Sequence, residues 1–288
     1  MGEITLQHAL EEFKTVYMPA RNLAARTRIE YANDLKAFID YLAGIGITRA
    51  ADISAIHVDR YLARLDELGF SGSTRKRKAI TFRSFFSFLY RNGYFSQDIS
   101  GKIILPFPEQ PTPRVLTQLE YQRLLQACSR DIRDIAIITL LLQTGIRLSE
   151  LTRLTLRNIH LPESIEIAGT GSRKGRTIPL NSKACEALQV YISRRLDTSS
   201  LTIFLNKQGK ALGNRGVEKI IAQYYKQSKI FGASVHSLRH TFAVQHLKNG
   251  TSIKTVQKAL GHQDVRTTEA YIPMANELAK KELEENAL

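Results

Sequence analysis

The second half of the chain gathers side chains suited to work on a phosphate. Arg147 lies in Thr144-Gly-Ile-Arg147-Leu-Ser-Glu150, and Lys174 and Arg176 flank a glycine. Arg239 sits within His236-Ser-Leu-Arg239-His240. His262 follows Leu260-Gly, and Tyr271 comes nine residues later. Four of the seven histidines fall between 236 and 262. A phosphodiester under attack needs cationic donors on its non-bridging oxygens, and the planar guanidinium fork supplies them in pairs. Imidazole moves protons near neutral pH. A lysine on a hairpin can protonate a leaving oxygen. A tyrosine hydroxyl, with a reference pKa near ~10, becomes a useful nucleophile in a cationic site.

Rival chemistries fit less well. His236 and His240 are four residues apart, which places both on one helix face as two zinc ligands would be. Residue 237 is serine, so the general-base glutamate of a metalloprotease motif is missing. Neither Cys128 nor Cys185 is close in sequence. There is no Gly-x4-Gly-Lys-Ser/Thr loop and no acidic cluster for two metal ions. The expected chemistry therefore uses no cofactor and no metal.

These residues need helices and one hairpin to bring them together. Thr117 and Glu120 spell a capping box for a helix through Leu125. The nearly all-apolar run Ile135 to Leu142 predicts a buried helix that Gly145 can end. Residues 164–167 and 176–180 predict two short strands around a Gly-rich turn. Residues 183–196 and 214–228 predict helices, and 236–260 two more, split at Asn249-Gly250. Upstream, apolar residues recur at three- and four-residue steps in four stretches. Thr27 is the expected cap of the second helix, and Ser73 or Thr74 of the fourth, with Phe82, Phe85, Phe86 and Leu89 facing inward. Pro106, Pro108, Pro111 and Pro113 cannot lie inside a helix. They mark a linker at 106–116 between a four-helix domain at 1–105 and a second domain at 117–288.

Charge narrows the partner. The 288 residues carry 41 Lys plus Arg against 27 Asp plus Glu, for +14. Residues 1–110 hold 15 basic and 12 acidic groups, so most of the excess lies in the second half. Such a chain usually meets a polyanion. No apolar run reaches the ~18–20 residues a membrane span needs. The acidic, alternating start does not read as a signal peptide. Two cysteines make no disulfide framework. A cytoplasmic protein without membrane contact is expected.

Taken in order, the motifs resemble the tyrosine recombinases of the phage-integrase and Xer type. They are Thr144-Gly-Ile-Arg147-Leu-Ser-Glu150-Leu, Lys174-Gly-Arg176-Thr-Ile-Pro179-Leu, His236-Ser-Leu-Arg239-His240-Thr-Phe, Leu260-Gly-His262 and Thr267-Thr-Glu-Ala-Tyr271. The resemblance covers residues 114–288, and more weakly the N-terminal segment. It implies a mainly α fold: a four-helix, SAM-like core-binding domain, then a helical catalytic domain with a small antiparallel sheet. It implies that the two domains clamp duplex DNA and that Tyr271 attacks the scissile phosphate. A 3′-phosphotyrosyl link forms and a 5′ hydroxyl leaves. Arg147, Arg239 and His262 would hold the non-bridging oxygens, His236 would act as acid or base for the tyrosine, and Lys174 would protonate the leaving oxygen. Glu150 and His240 would support from behind. The family works as a tetramer on two DNA sites, through a Holliday junction, and passes a C-terminal helix between protomers. A partner recombinase or accessory protein is compatible with it.

The sequence departs from the family's pattern in places. The family's hairpin turn often reads Gly-Lys-Gly, whereas here Gly169-Thr-Gly-Ser precedes Arg173-Lys174 in a turn one residue longer. Spacing to Arg176 and Pro179 favours Lys174, with Arg173 beside it. Ile272-Pro273 replaces the frequent Thr-His after the tyrosine. Arg75-Lys76-Arg77-Lys78 reads as a solvated face or, in a core-binding domain, as a phosphate contact. Arg83, Arg173 and Arg176 are further candidate DNA contacts. The tail after Met274 reads as an exchanged amphipathic helix or a frayed end. Rival readings are a type IB-like topoisomerase, a DNA-binding accessory protein without cleavage, and a basic RNA-binding helical protein. The target sequence and biological role are not legible.

Overall fold

The computed structural model describes residues 4–107, 112–171 and 174–285. The chain divides into two compact units, Met1–Pro111 and Thr112–Leu288.

The first unit is helical. Its main elements are α1 (Leu6–Glu12), which continues through a π-helical turn at Phe13–Tyr17, then α2 (Ala25–Gly44), α3 (Ala55–Glu67) and α4 (Gly72–Arg91). The phenylalanines explain the packing. Phe82, Phe85, Phe86 and Leu89 recur along one face of α4 and are fully buried with Phe13 and Phe38. Phe13 meets Phe85 edge-on, with ring centroids 5.3 Å apart, an arrangement aromatic quadrupoles favour. Two helix starts differ from expectation. The α4 cap is Ser71, whose hydroxyl accepts from Thr74 N at 3.3 Å, because Gly72 already enters the helix. The α2 helix begins at Ala25, before Thr27 and without a side-chain cap.

The second unit opens with α5 (Gln118–Cys128), where Thr117 and Glu120 form both bonds of the capping box. Helix α6 (Ile132–Thr144) follows, with Asp131 as its side-chain cap. Its run Ala136–Leu142 is buried, so it is the central rod of the unit. Short α7 (Leu148–Leu151) leads to a three-stranded antiparallel sheet: β1 (Ile159–His160), β2 (Ser164–Ile167) and β3 (Arg176–Pro179). Ile165 pairs with Ile178. The two-residue β1 was not anticipated, since a strand that short has no readable period. Then come α8 (Ser182–Ser193), α9 (Asn214–Gln227), α10 (Val235–Lys248), α11 (Ile253–Leu260), α12 (Arg266–Glu269) and α13 (Ile272–Glu285). Helix α10 packs on both α6 and α13. The tail is thus a helix that rests on its own chain, with Met274, Ala275 and Leu278 turned into that contact. Among the described residues, no helix is long and apolar enough to cross a membrane.

Gly145 ends α6 in the left-handed region, at φ 61°. A Cβ there would lie 2.4 Å from Phe242 Cδ1 and 2.9 Å from Leu260 Cδ2. Gly145→Ala should therefore combine backbone strain with overpacking and lower stability by about 2–3 kcal/mol. Urea unfolding of the two proteins checks this, and an unchanged midpoint would contradict it.

Candidate active site

The site is assembled around the C-terminal end of α11. That helix stops at Gly261, in the left-handed region at φ 64°, and leaves its last carbonyls without helical partners. Three arginines take them. Arg176, the first residue of β3, donates from Nε to Ala259 O at 2.7 Å. Arg147 donates from Nη1 to Leu260 O at 3.1 Å and from Nη2 to Gly261 O at 3.0 Å. Arg239, on α10, donates from Nη2 to Leu260 O at 2.7 Å and from Nη1 to Gly145 O. Helix C-termini favour nearby cations, so the anchoring suits both partners.

One carboxylate ties the cluster together. Glu150 accepts from Arg147 N at 2.8 Å and from Arg147 Nη1 at 3.0 Å. It also accepts both ends of the Arg176 fork, at 2.9 and 2.8 Å. Burial opposes ionisation of Glu150, but the bonds from Arg176 and Arg147 outweigh it and hold the carboxyl at about 2. Arg239 is only 6% exposed. Burial, then the neighbouring Arg147, pulls its pKa down to about 9. Two guanidiniums thus share one carboxylate, and the third, Arg239, is held by backbone carbonyls beside them. Each guanidinium has five N–H donors. Among the described residues Arg147 uses three and Arg239 two. Both keep donors for an incoming anion.

Tyr271, between α12 and α13, lies beside this cluster and is 5% exposed. Burial raises the pKa of its hydroxyl, while Arg239 and Arg147 pull the other way. Its ring stacks against His262, centroids 6.5 Å apart. His262 Nδ1 is 2.8 Å from Thr268 Oγ1, and Thr268 is fully buried. Burial, with Arg239 and Arg147 behind it, lowers His262 to about 4. His240 Nδ1 lies 2.8 Å from the Tyr271 hydroxyl. Burial, then His236 and Arg239, lowers His240 to about 4. Both rings are neutral at pH 7.

The structure brings Arg147, Glu150, Arg176, Arg239, His240, His262 and Tyr271 together. It puts His240, rather than His236, at the tyrosine hydroxyl. His236 is exposed one turn earlier on α10, its ring 6.5 Å from that of His240. Lys174 is exposed just before β3, with no hydrogen bond to the cluster among the described residues. Arg173 lies outside the described residues. The other candidate DNA contacts are largely paired within the protein. Lys78 is 8% exposed, with its ammonium 2.7 Å from buried Asp34, which also binds Arg77. Desolvation without that carboxylate would leave a buried charge unpaired, which explains the inward turn. Arg75 pairs with Asp66, and Arg83 donates to Ile103 O. Arg176 is committed to Glu150 and Ala259. Lys76 shows no ion pair among the described residues and is half-buried. The roles of Thr268 and of the α11 carbonyls were not found from sequence. Backbone carbonyls carry no side-chain signal, and Thr268 is one of many threonines. Among the described residues, no three His, Cys, Asp or Glu side chains are grouped as a metal site needs.

Residues 114–277 match the family model described as Phage integrase family, and residues 10–93 match Phage integrase, N-terminal SAM-like domain. The chain belongs to the phage integrase family. It is a tyrosine recombinase, a DNA strand transferase. Tyrosine recombinase XerC of Roseiflexus castenholzii is 32% identical over 285 residues, covering 94% of this chain and 90% of the relative. Tyrosine recombinase XerD of Oceanobacillus iheyensis is 32% identical over 278 residues, covering 92% and 93%. The fold is shared with XerH site-specific recombinase bound to a palindromic difH substrate. That match has a TM-score of 0.76 at 22% identity over 97% of this chain and 84% of that one. It is also shared with a lambda integrase tetramer bound to a Holliday junction, at TM-score 0.78 and 19% identity over 94% and 78%.

Removing the shared carboxylate should cost this recombinase stability. Glu150→Gln leaves Arg147 and Arg176 unpaired and is expected to lose about 3–5 kcal/mol at pH 7. Its folded pKa lies below the ordinary 4.5, at about 2. The advantage of wild type is then full above 4.5 and shrinks as pH falls toward 2. The neutral histidines lower stability as pH drops from 6.5 toward 4, but they do so in both proteins. Urea midpoints for the pair, followed down in pH, isolate Glu150. A gap independent of pH would contradict its assignment.

Proposed function

We propose that this recombinase cuts and rejoins duplex DNA at a specific site, with Tyr271 as nucleophile. The observation that carries the reading is the cationic cluster beside a buried tyrosine: three guanidiniums gather around one helix end and one carboxylate, and Arg147 and Arg239 keep spare donors. In the proposed reaction the scissile phosphate enters this cluster. Arg147, Arg239 and His262 donate to its non-bridging oxygens, where charge grows in the pentavalent transition state. The Tyr271 Oη–P bond forms and the P–O5′ bond breaks. The 3′ end stays on the tyrosine, and Lys174 protonates the departing 5′ oxygen. His236, exposed on the face of α10 before His240, is left to meet the substrate itself.

One phosphoester replaces another, so the bond energy is kept and a 5′ hydroxyl from a second strand can reverse the step. This thermodynamic balance requires no ATP. Paired exchanges would proceed through a Holliday junction, in a tetramer on two sites. Helix α13 is the segment to be passed between protomers, and a partner recombinase or accessory protein can join the assembly. The helical unit at residues 1–111 would hold the DNA, with Lys76 the freest of its first candidate contacts. The biological outcome is dimer resolution, or integration and excision of a mobile element.

The test is covalent capture. Wild type and Tyr271→Phe are incubated with fragmented genomic DNA without ATP or added metal, quenched in detergent, and the attached DNA is sequenced. Attachment by wild type alone, at a recurrent sequence, is expected. On that duplex, Arg147→Ala and Arg239→Ala should each cut roughly 10²–10³-fold more slowly. Equal attachment by Tyr271→Phe would remove the tyrosine from its role. Binding without attachment would favour a DNA-binding accessory protein.

A further inference from the structure

The nucleophile must lose a proton as it attacks, and few groups are placed to take it. Tyr271 is 5% exposed, so its hydroxyl has little access to bulk water. His262 stacks on the tyrosine ring, and its Nδ1 is occupied by Thr268 Oγ1 at 2.8 Å. Arginine cannot accept a proton. His236 is exposed and makes no bond to the hydroxyl. Among the described residues, His240 is the one that hydrogen-bonds it, with Nδ1 2.8 Å from Oη. A general base must be within hydrogen-bond reach of the proton it removes, and this contact meets that condition.

We propose that His240 is the proton acceptor for Tyr271 and hence a catalytic residue of strand cleavage. The proposal rests on the cleavage reading above. The neutral phenol donates to Nδ1, with the imidazole's other proton on Nε2. As the phosphate is attacked, the Oη–H bond breaks and the Oη–P bond forms. The proton passes to Nδ1, the P–O5′ bond breaks, and the leaving oxygen takes its proton from a separate acid. Protons and charge balance across the step. The reverse step returns the proton from the imidazolium to the tyrosine. The surroundings add a gate. His240 faces Arg239 and His236 on its own helix, Tyr271 between α12 and α13, and at longer range the neutral His262. An imidazolium there is opposed by Arg239 until a phosphate brings negative charge. Proton transfer is thereby coupled to substrate binding, and an empty site does not ionise its tyrosine.

The experiment uses full-length protein and the duplex recovered by covalent capture, nicked next to the cut so that cleavage is irreversible. His240→Asn keeps a hydrogen-bond acceptor but cannot take a proton. Its cleavage rate constant should fall roughly 10²–10³-fold, with duplex binding and urea midpoint close to wild type. The decisive readout replaces Tyr271 by a fluorotyrosine whose more acidic phenol needs less help from a base. The deficit of His240→Asn should then shrink at least about tenfold, as expected for general-base catalysis. A purely structural role would leave the deficit the same with tyrosine and fluorotyrosine, and that result overturns the proposal. So does a His240→Asn protein that cuts at the wild-type rate. Should His240→Asn not fold, His240→Gln is measured in the same way. If wild type attaches to no DNA, the cleavage reading fails first and the proposal falls with it.

Discussion

Like charges held close together repel, and this active site holds three guanidiniums around a single carboxylate. Glu150 offsets part of the charge through four bonds, to Arg147 and Arg176. The C-terminal carbonyls of α11 offset more, since a helix end presents partial negative charge. Arg239 remains under strain, since burial first and the neighbouring Arg147 second lower its pKa. In the proposed reaction a phosphodiester supplies negative charge to this cluster, and a transition state with more charge supplies more. Donors fixed before the substrate arrives need not reorganise during the reaction.

Such an arrangement demands unusual backbone at two points. Gly145 turns the chain out of the buried α6 and offers its carbonyl to Arg239. Gly261 ends α11 so closely under Arg176 that a Cβ would sit 2.8 Å from Nη1. Both residues adopt the left-handed conformation that side chains resist. Burial then separates two kinds of work. The arginines stay charged in a site where His240 and His262 are neutral. In the proposed reaction the permanent cations hold the phosphate, and the neutral ring of His240 can accept a proton.

Much of this was legible in the residues, and the reasons it was legible are physical. Helices α5, α6 and α8 to α11 follow from apolar period, a capping box and glycine stops, whereas the four-residue α7 was not anticipated. The hairpin follows from alternation around a Gly-rich turn. The site motifs were readable because arginine, histidine and tyrosine suit phosphate chemistry and their order resembles that of the family. Three things were hidden. The contact of His240 with Tyr271 joins residues 31 apart, and one helical turn separates His240 from His236, so spacing alone cannot choose between them. The inward turn of Lys78 depends on Asp34, which lies two helices earlier in a different apolar stripe. The commitment of Arg176 to Glu150 needed the tertiary pairing of β3 with α7. Local pattern carries elements and residue types, whereas partner choice across the fold is a property of packing.

In the proposed reaction the arginine cluster neutralises charge on the scissile phosphate. A methylphosphonate at that position removes the charge while keeping the linkage, so cleavage of charged and neutral duplexes by wild type and Arg239→Ala tests this most directly. The deficit of Arg239→Ala, roughly 10²–10³-fold on the phosphate, is expected largely to disappear on the methylphosphonate. An equal deficit on both substrates would contradict it and make Arg239 a structural support of the site.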